Sequence, residues 1–92
     1  MIADIIKFKL NEKWYMAKVS LNIMVDSDSC VMKIIQLDQI ENTGDTTIKK
    51  IKNIFKYSVG NDGINFKKYS SIIKKIQEKI IIKYKINKLI YN

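Results

Sequence analysis

The stretch KWYMAKVSLNIMV, residues 13–25, decides the fold class of this chain. Its odd positions from Tyr15 to Val25 are all apolar, whereas its even positions include lysine, serine and asparagine. Side chains that alternate with a period of two, and that are rich in β-branched and aromatic types, predict a β-strand with one buried face. The segments on either side can therefore be tested as partner strands in one sheet.

The preceding segment IIKFKL alternates in the opposite phase, with Ile6 and Phe8 on even positions. Both apolar sets share one face of a sheet only if an even position pairs with an odd one, which requires a loop of even length. Asn11 and Glu12 supply a two-residue turn of this kind. The sequence therefore predicts a β-hairpin in which Phe8 lies opposite Tyr15.

A third strand is predicted after the polar turn made by residues 26–29. The same parity argument puts the apolar even positions of this strand on the core face. The expected pairs are Cys30 with Val25, Met32 with Ile23, and Ile34 with Leu21. These three strands form an antiparallel meander.

The opposite face of the meander is partly apolar, which leaves two interpretations. Either a helix, the end of the chain or a second copy covers this face, or it is an exposed patch that docks a protein partner. Large aromatic residues and methionine are enriched in patches of the second kind. The candidate patch residues are Trp14, Met16, Lys18, Ile35 and Leu37.

The C-terminal half predicts two amphipathic helices with apolar residues three and four positions apart. The first would run from Asp45 or Thr46 to about Ser58, and the second from a cap at Asn65. The last segment, IKYKI, alternates strictly, so it either stays helical to about residue 88, which we favour, or forms a fourth strand. We expect a single α+β domain over residues 1–92, with a three-stranded antiparallel β-meander packed against two amphipathic helices in the order β-β-β-α-α.

Charge is divided unevenly along the chain. Residues 1–46 hold five lysines against seven acidic residues, whereas residues 47–92 hold twelve lysines against two. All seventeen basic residues are lysines, as an AT-rich genome would produce, so the scarcity of acids is better evidence for anion binding than the lysine count. Such a surface either contacts phosphate or an acidic partner, or is only solvated. The candidate binding residues are Lys49, Lys52 and Lys56 on the first predicted helix and Lys68, Lys75, Lys79 and Lys83 on the second.

Catalytic and cofactor motifs are absent from the sequence. The chain has no histidine, and its one cysteine, Cys30, is expected to be a core thiol. The DSDS turn resembles the opening of a calcium loop, but Val31 and Leu37 stand where that loop needs glycine and glutamate. We therefore predict no enzyme activity, no metal site and no cofactor. Without a signal peptide or a long apolar run, we also expect a soluble, cytoplasmic protein.

The remaining function class is binding. By analogy alone, small arginine-free domains with few motifs are typical of phages and mobile elements, where they act as stoichiometric inhibitors of a host nucleoprotein or defence complex, as anti-CRISPR proteins do. The first hypothesis is such an inhibitor, which docks on a protein or ribonucleoprotein through its apolar sheet patch and its lysines. The alternatives are a free-standing DNA- or RNA-binding protein, a homodimeric interaction domain, or a protein that lies on a membrane surface.

Overall fold

The computed structural model describes residues 1–24, 28–41, 48–56 and 67–91. These residues form an α+β fold in which one helix packs on a five-stranded sheet. Strands β1 to β4 are successive antiparallel neighbours, and β5 pairs in parallel with β3. The elements are β1 Ile2–Leu10, β2 Lys13–Met24, β3 Ser29–Glu41, β4 Lys49–Lys56, α1 Ser70–Tyr84 and β5 Lys88–Tyr91.

The hairpin of β1 and β2 confirms the pairing that the sequence predicts. Phe8 lies opposite Tyr15, and their rings stack with centroids 5.6 Å apart. Asn11 and Glu12 form the turn with φ values of 49° and 66°. Two successive positive φ angles are typical of a type I′ turn, whose twist matches that of the flanking strands. The turn therefore fixes the register that buries both apolar sets on one face.

The pairing of β2 with β3 puts the predicted residues on the predicted face but shifts each partner by two positions. Cys30, Met32 and Ile34 are all fully buried, as expected. A shift of two keeps every side chain on the same face, so the apolar pattern alone does not distinguish the two registers. The observed pairs are Cys30 with Ile23, Met32 with Leu21, and Ile34 with Val19.

The first predicted helix is wrong, because residues 49–56 form strand β4 along the C-terminal half of β3. Its apolar residues Ile51 and Ile54 are three apart, as in a helix. The β3–β4 register shifts twice, so that neither of these isoleucines has a partner on β3. Each β-bulge adds one residue to the strand, which accounts for a spacing of three. The proposed helix ends, at Asp45 or Thr46 and at Ser58, lie outside the described residues.

The second predicted helix is confirmed as α1, which begins at Ser70. Its residues Ile73, Ile76 and Ile80 are fully buried against the sheet. The proposed cap Asn65 lies outside the described residues. The helix ends at Tyr84 and is capped by Lys85, which has a left-handed backbone conformation with φ 53° and whose amide donates to the carbonyl of Ile81.

The IKYKI segment follows the favoured interpretation only in part, because it is helical through Tyr84 and leaves the helix before residue 88; a further strand does form, but it begins at Lys88, after this segment. The helix continues through Tyr84, and the chain then turns so that the amides of Asn87 and Lys88 donate to the carbonyl of Asp28. Strand β5 follows, beside the N-terminal half of β3. Since β4 occupies the C-terminal half of the same edge, β3 is the central strand of the sheet.

Candidate functional site

The helix covers only one face of the sheet, and we call the other face, among the described residues, the open face. Paired residues on neighbouring strands point to the same side, so the register assigns each side chain to a face. Ile5 pairs with Lys18, Lys7 with Met16, and Lys9 with Trp14. The open face therefore mixes apolar and basic side chains. Its apolar members include Ile5, Trp14, Met16, Ile35 and Ile40, of which Ile40 is only 2% exposed, and its basic members on β1 to β3 are Lys7, Lys9, Lys18 and Lys33.

Four of the five predicted patch residues lie on the open face, and Leu37 does not. Lys18 pairs with Gln36, whereas the next residue of β2, Val19, pairs with Ile34. Ile35 is thus the extra residue of a β-bulge and is 42% exposed, while Leu37 is fully buried on the helix side opposite Ala17. The prediction for Leu37 is wrong because strict alternation takes no account of this bulge.

Trp14 and Met16 are half-buried on the open face, so they present only part of their surface to solvent. The ammonium of Lys7 lies 5.3 Å from the ring centroid of Trp14, a distance at which a cation is attracted to the face of an indole ring. This contact holds a positive charge beside an aromatic surface. Apolar area with an adjacent cation is suited to a partner that is itself partly apolar and acidic.

The carboxylate assigned to the open face, Asp38, is withdrawn from the surface. Asp38 is only 2% exposed and accepts hydrogen bonds from Gln36 Nε2 at 2.7 Å and from Asn53 Nδ2 at 2.8 Å. Two amide donors from β3 and β4 thus satisfy both carboxylate oxygens. On β1 to β3 the solvent-facing charges that the register assigns to this face are therefore those of lysines, one of which, Lys9, pairs with Glu12 of the adjoining turn at 3.5 Å.

The seven predicted binding lysines do not form one stripe. Lys49, Lys52 and Lys56 lie on β4, and Lys75, Lys79 and Lys83 lie on α1, with Lys68 just before it. Three of the seven are in ion pairs: Lys49 with Glu41, Lys75 with Glu78, and Lys83 with Asp4. The prediction that Lys49, Lys52 and Lys56 lie on one side of a helix is therefore wrong, because these three residues lie on a strand.

Asp4 forms a cluster that sequence reasoning missed. Its Oδ2 accepts hydrogen bonds from Lys83 Nζ at 2.8 Å and from Tyr84 Oη at 2.6 Å, and its Oδ1 accepts from the amide of Ile5 at 2.8 Å. The bond from Lys83, followed by that from Tyr84, lowers the pKa of Asp4 below its ordinary value. The same contacts raise the pKa values of Lys83 and Tyr84. The cluster ties the outer edge of β1 to the last turn of α1.

A groove runs beside the Asp4 cluster, between β1 and α1. Its volume is about 350 Å³, and three lysines contribute to its walls. Ile5 and Ile82, which are 57% and 72% exposed, supply apolar surface. We call this site the edge groove, and its lining residues are Ile5, Ile6, Lys7, Lys79, Ile82 and Lys83.

Cys30 lies in the core. The residue is fully buried, and this burial raises the pKa of its thiol. A thiol that is buried and protonated is a poor nucleophile. In the described part of the chain, no three side chains of the histidine, cysteine, aspartate or glutamate type come close enough to hold a metal ion. The same part contains no helix with the length and apolar character needed to cross a bilayer.

Comparison of the chain with protein-family models, with curated proteins and with solved structures finds no match.

Proposed function

We propose that this chain is a non-enzymatic binding protein, whose open face docks on an acidic surface of a protein or nucleoprotein complex and inhibits that complex by occupying it. The observation that supports this proposal is the composition of the open face: exposed isoleucine and half-buried tryptophan lie among lysines, while Asp38 is buried. A cation-rich rim around apolar anchors favours an acidic partner and disfavours a basic one.

Binding of free nucleic acid is the competing function. Phosphate contact would use lysines along one continuous track, and the slope of log affinity against log salt would be about −0.7 to −0.9 for each phosphate neutralised. The predicted lysines are instead divided between β4 and α1, and three of them pair with carboxylates. Base stacking would also need several exposed aromatic rings in a row. Trp14 is partly covered, and no second aromatic residue lies beside it on the open face of β1 to β3.

The membrane-surface alternative would require an amphipathic helix with a free apolar face. The apolar face of α1 is used in the core, because Ile73, Ile76 and Ile80 are fully buried there. This packing supports docking by the sheet in preference to insertion of the helix into a bilayer.

The test uses matched variants of the open face and of the helix. Lys18→Glu and Ile35→Asp alter exposed open-face positions, while Lys74→Glu and Ile81→Asp make the same changes at exposed positions of α1. Affinity for a complex captured from host extract, prepared with and without nuclease and then purified, is measured across a salt range. We expect the open-face variants to lose about tenfold or more in affinity, and the helix variants to bind like the parent.

Stoichiometry completes the test of inhibition. The activity of the purified complex should fall in proportion to added protein and be abolished at one equivalent. Equal losses for the open-face and helix variants would refute the assignment of the open face. Tight binding of random single-stranded or duplex oligonucleotides, with an unchanged affinity in Ile35→Asp, would instead establish the nucleic-acid function.

A further inference from the structure

The β-bulge in β3 leaves a pocket on the open face, which we call the bulge pocket. Its volume is about 540 Å³, which is within the range of protein sites that hold an apolar group. It lies between β1 and the bulge, where the pairing of β2 with β3 shifts between Lys18 and Val19. Its lining residues are Ala3, Asp4, Ile5, Lys18, Val19 and Ile35.

Two isoleucines supply the apolar surface of the bulge pocket. Ile5 is 57% exposed and Ile35 is 42% exposed, so both present apolar area to solvent. Ala3 is exposed as well and carries only a methyl group, so it takes up little of the space. A bulky apolar side chain of a partner would cover this area, and side chains that fill such pockets provide much of the affinity of an interface. The pocket is therefore suited to an anchor residue of the partner.

Lys18 gives the bulge pocket its charge preference. This lysine is exposed and forms no ion pair with any described residue. Asp4 also lines the pocket, but its carboxylate accepts hydrogen bonds from Lys83 and Tyr84. An incoming carboxylate would thus meet an ammonium group that no described carboxylate neutralises, while the acid that lines the pocket is already bound.

We infer that the bulge pocket binds an aromatic side chain of the partner protein, next to an acidic residue whose carboxylate pairs with Lys18. The ring lies against Ile5 and Ile35 and fills the space beside Ala3, because an aromatic ring buries a large apolar area for few rotatable bonds. This inference rests on the proposed function and names the residue types that the open face selects. A second copy of the chain is disfavoured as the occupant, because each copy carries a net charge of +8 and would bring further lysines against Lys18.

The experiment uses a short peptide with one phenylalanine between glutamates, labelled with fluorescein through a glycine linker. Two matched peptides replace the phenylalanine with alanine, or every glutamate with glutamine, so that the ring and the charge are tested separately. Fluorescence anisotropy measures the affinity of each peptide for the parent. We expect each replacement to weaken binding by about tenfold or more. Equal binding of the alanine peptide would overturn the aromatic anchor, and equal binding of the glutamine peptide would overturn the role of Lys18.

Variants of the chain test where the peptide binds. Ala3→Phe places a ring in the bulge pocket, whereas Asn22→Phe adds the same ring at an exposed position that shares the face of Lys18 but does not line the pocket. We expect Ala3→Phe to weaken binding of the phenylalanine peptide by about tenfold or more, and Asn22→Phe to bind like the parent. Lys18→Gln should remove the advantage of glutamate over glutamine in the peptide, and Lys74→Gln on α1 should keep it. Circular dichroism checks folding, and Ile5→Ala, which shortens one wall of the pocket, should also weaken binding.

Three further outcomes would overturn the inference. The first is an equal loss of binding in Ala3→Phe and Asn22→Phe, and the second is displacement of the peptide by an oligonucleotide of the same charge at equal concentration. The third is dimerisation of the parent in sedimentation experiments that Ala3→Phe abolishes, since a second copy would then occupy the pocket. Absence of peptide binding at up to about 1 mM refutes the pocket alone. The open face is refuted by a different result, equal losses of the whole complex in the open-face and helix variants.

Discussion

Residues Ile35 and Leu37 test the β-bulge that defines the open face. Leu37 is fully buried, so Leu37→Ala removes three buried carbon groups and leaves a cavity, which costs about 2–5 kcal/mol in the free energy of unfolding. Ile35 is 42% exposed, and truncation to alanine removes a smaller buried area, at a cost of about 1 kcal/mol. If β2 and β3 paired without a bulge, both side chains would lie on the open face and the two costs would be similar.

Urea unfolding, followed by circular dichroism and by Trp14 fluorescence, measures both costs. A domain of this size is stable by about 5–15 kcal/mol, which is at least as large as the expected cost of either substitution. With a slope of about 1–3 kcal/mol per molar urea, Leu37→Ala should lower the midpoint by on the order of 1 M or more. The shift for Ile35→Ala should be clearly smaller. Equal shifts, or a larger one for Ile35→Ala, would refute the bulge and with it the assignment of the open face.

Three further predictions concern single contacts. The contacts of Asp4 lower its pKa in the folded state, so they stabilise the fold when the carboxylate is ionised. The parent should therefore be more stable than Asp4→Asn above the ordinary pKa of 3.8, and this difference should be lost as the pH falls below that value. Thermal unfolding of both proteins at several pH values measures the difference. Asn53→Ala should cost about 1–3 kcal/mol in urea unfolding, because the buried carboxylate of Asp38 loses a donor. Glu12→Gly should raise the free energy of unfolding, by up to about 1 kcal/mol in urea unfolding, because glycine adopts the positive φ of this turn without strain.

The hairpin was predictable because its signals are local. Alternation in two adjacent segments and a two-residue turn between them determine the register of β1 and β2 without information from the rest of the chain. The β2–β3 turn is longer, and registers that differ by two bury the same side chains. The faces of β2 and β3 could therefore be predicted, but the residue pairs between these strands could not. The bulge at Ile35 left no separate signal in the alternation.

The sequence predicts a helix where strand β4 lies, and the reason is physical. In KKIKNIFK the apolar residues are three and one apart, which matches a helical stripe as well as a strand with two bulges. A helix makes its backbone hydrogen bonds within itself, whereas a strand needs a neighbouring strand. Strand β4 finds this neighbour in the C-terminal half of β3. Contacts made with a distant strand decide between a helix and a strand where the local pattern does not.

The Asp4 cluster joins residues 80 positions apart, yet the sequence carries one usable signal for it. Asp4 shares the parity of Ile6 and Phe8, so the hairpin register points its carboxylate toward the helix side. A carboxylate that is half-buried beside a core needs a donor, and most lysines are in the C-terminal half. The sequence thus indicates that a C-terminal lysine reaches β1, though not which one.

The charge asymmetry has a different meaning once the fold is known. The acid-poor half of the chain supplies β4 and β5 on one side of β3, and α1 beside β1 on the other. Lysines from this half therefore frame the sheet at both sides, while the N-terminal half provides the apolar surface between them. An acidic partner docked on the open face, as proposed above, would therefore meet cations on both flanks.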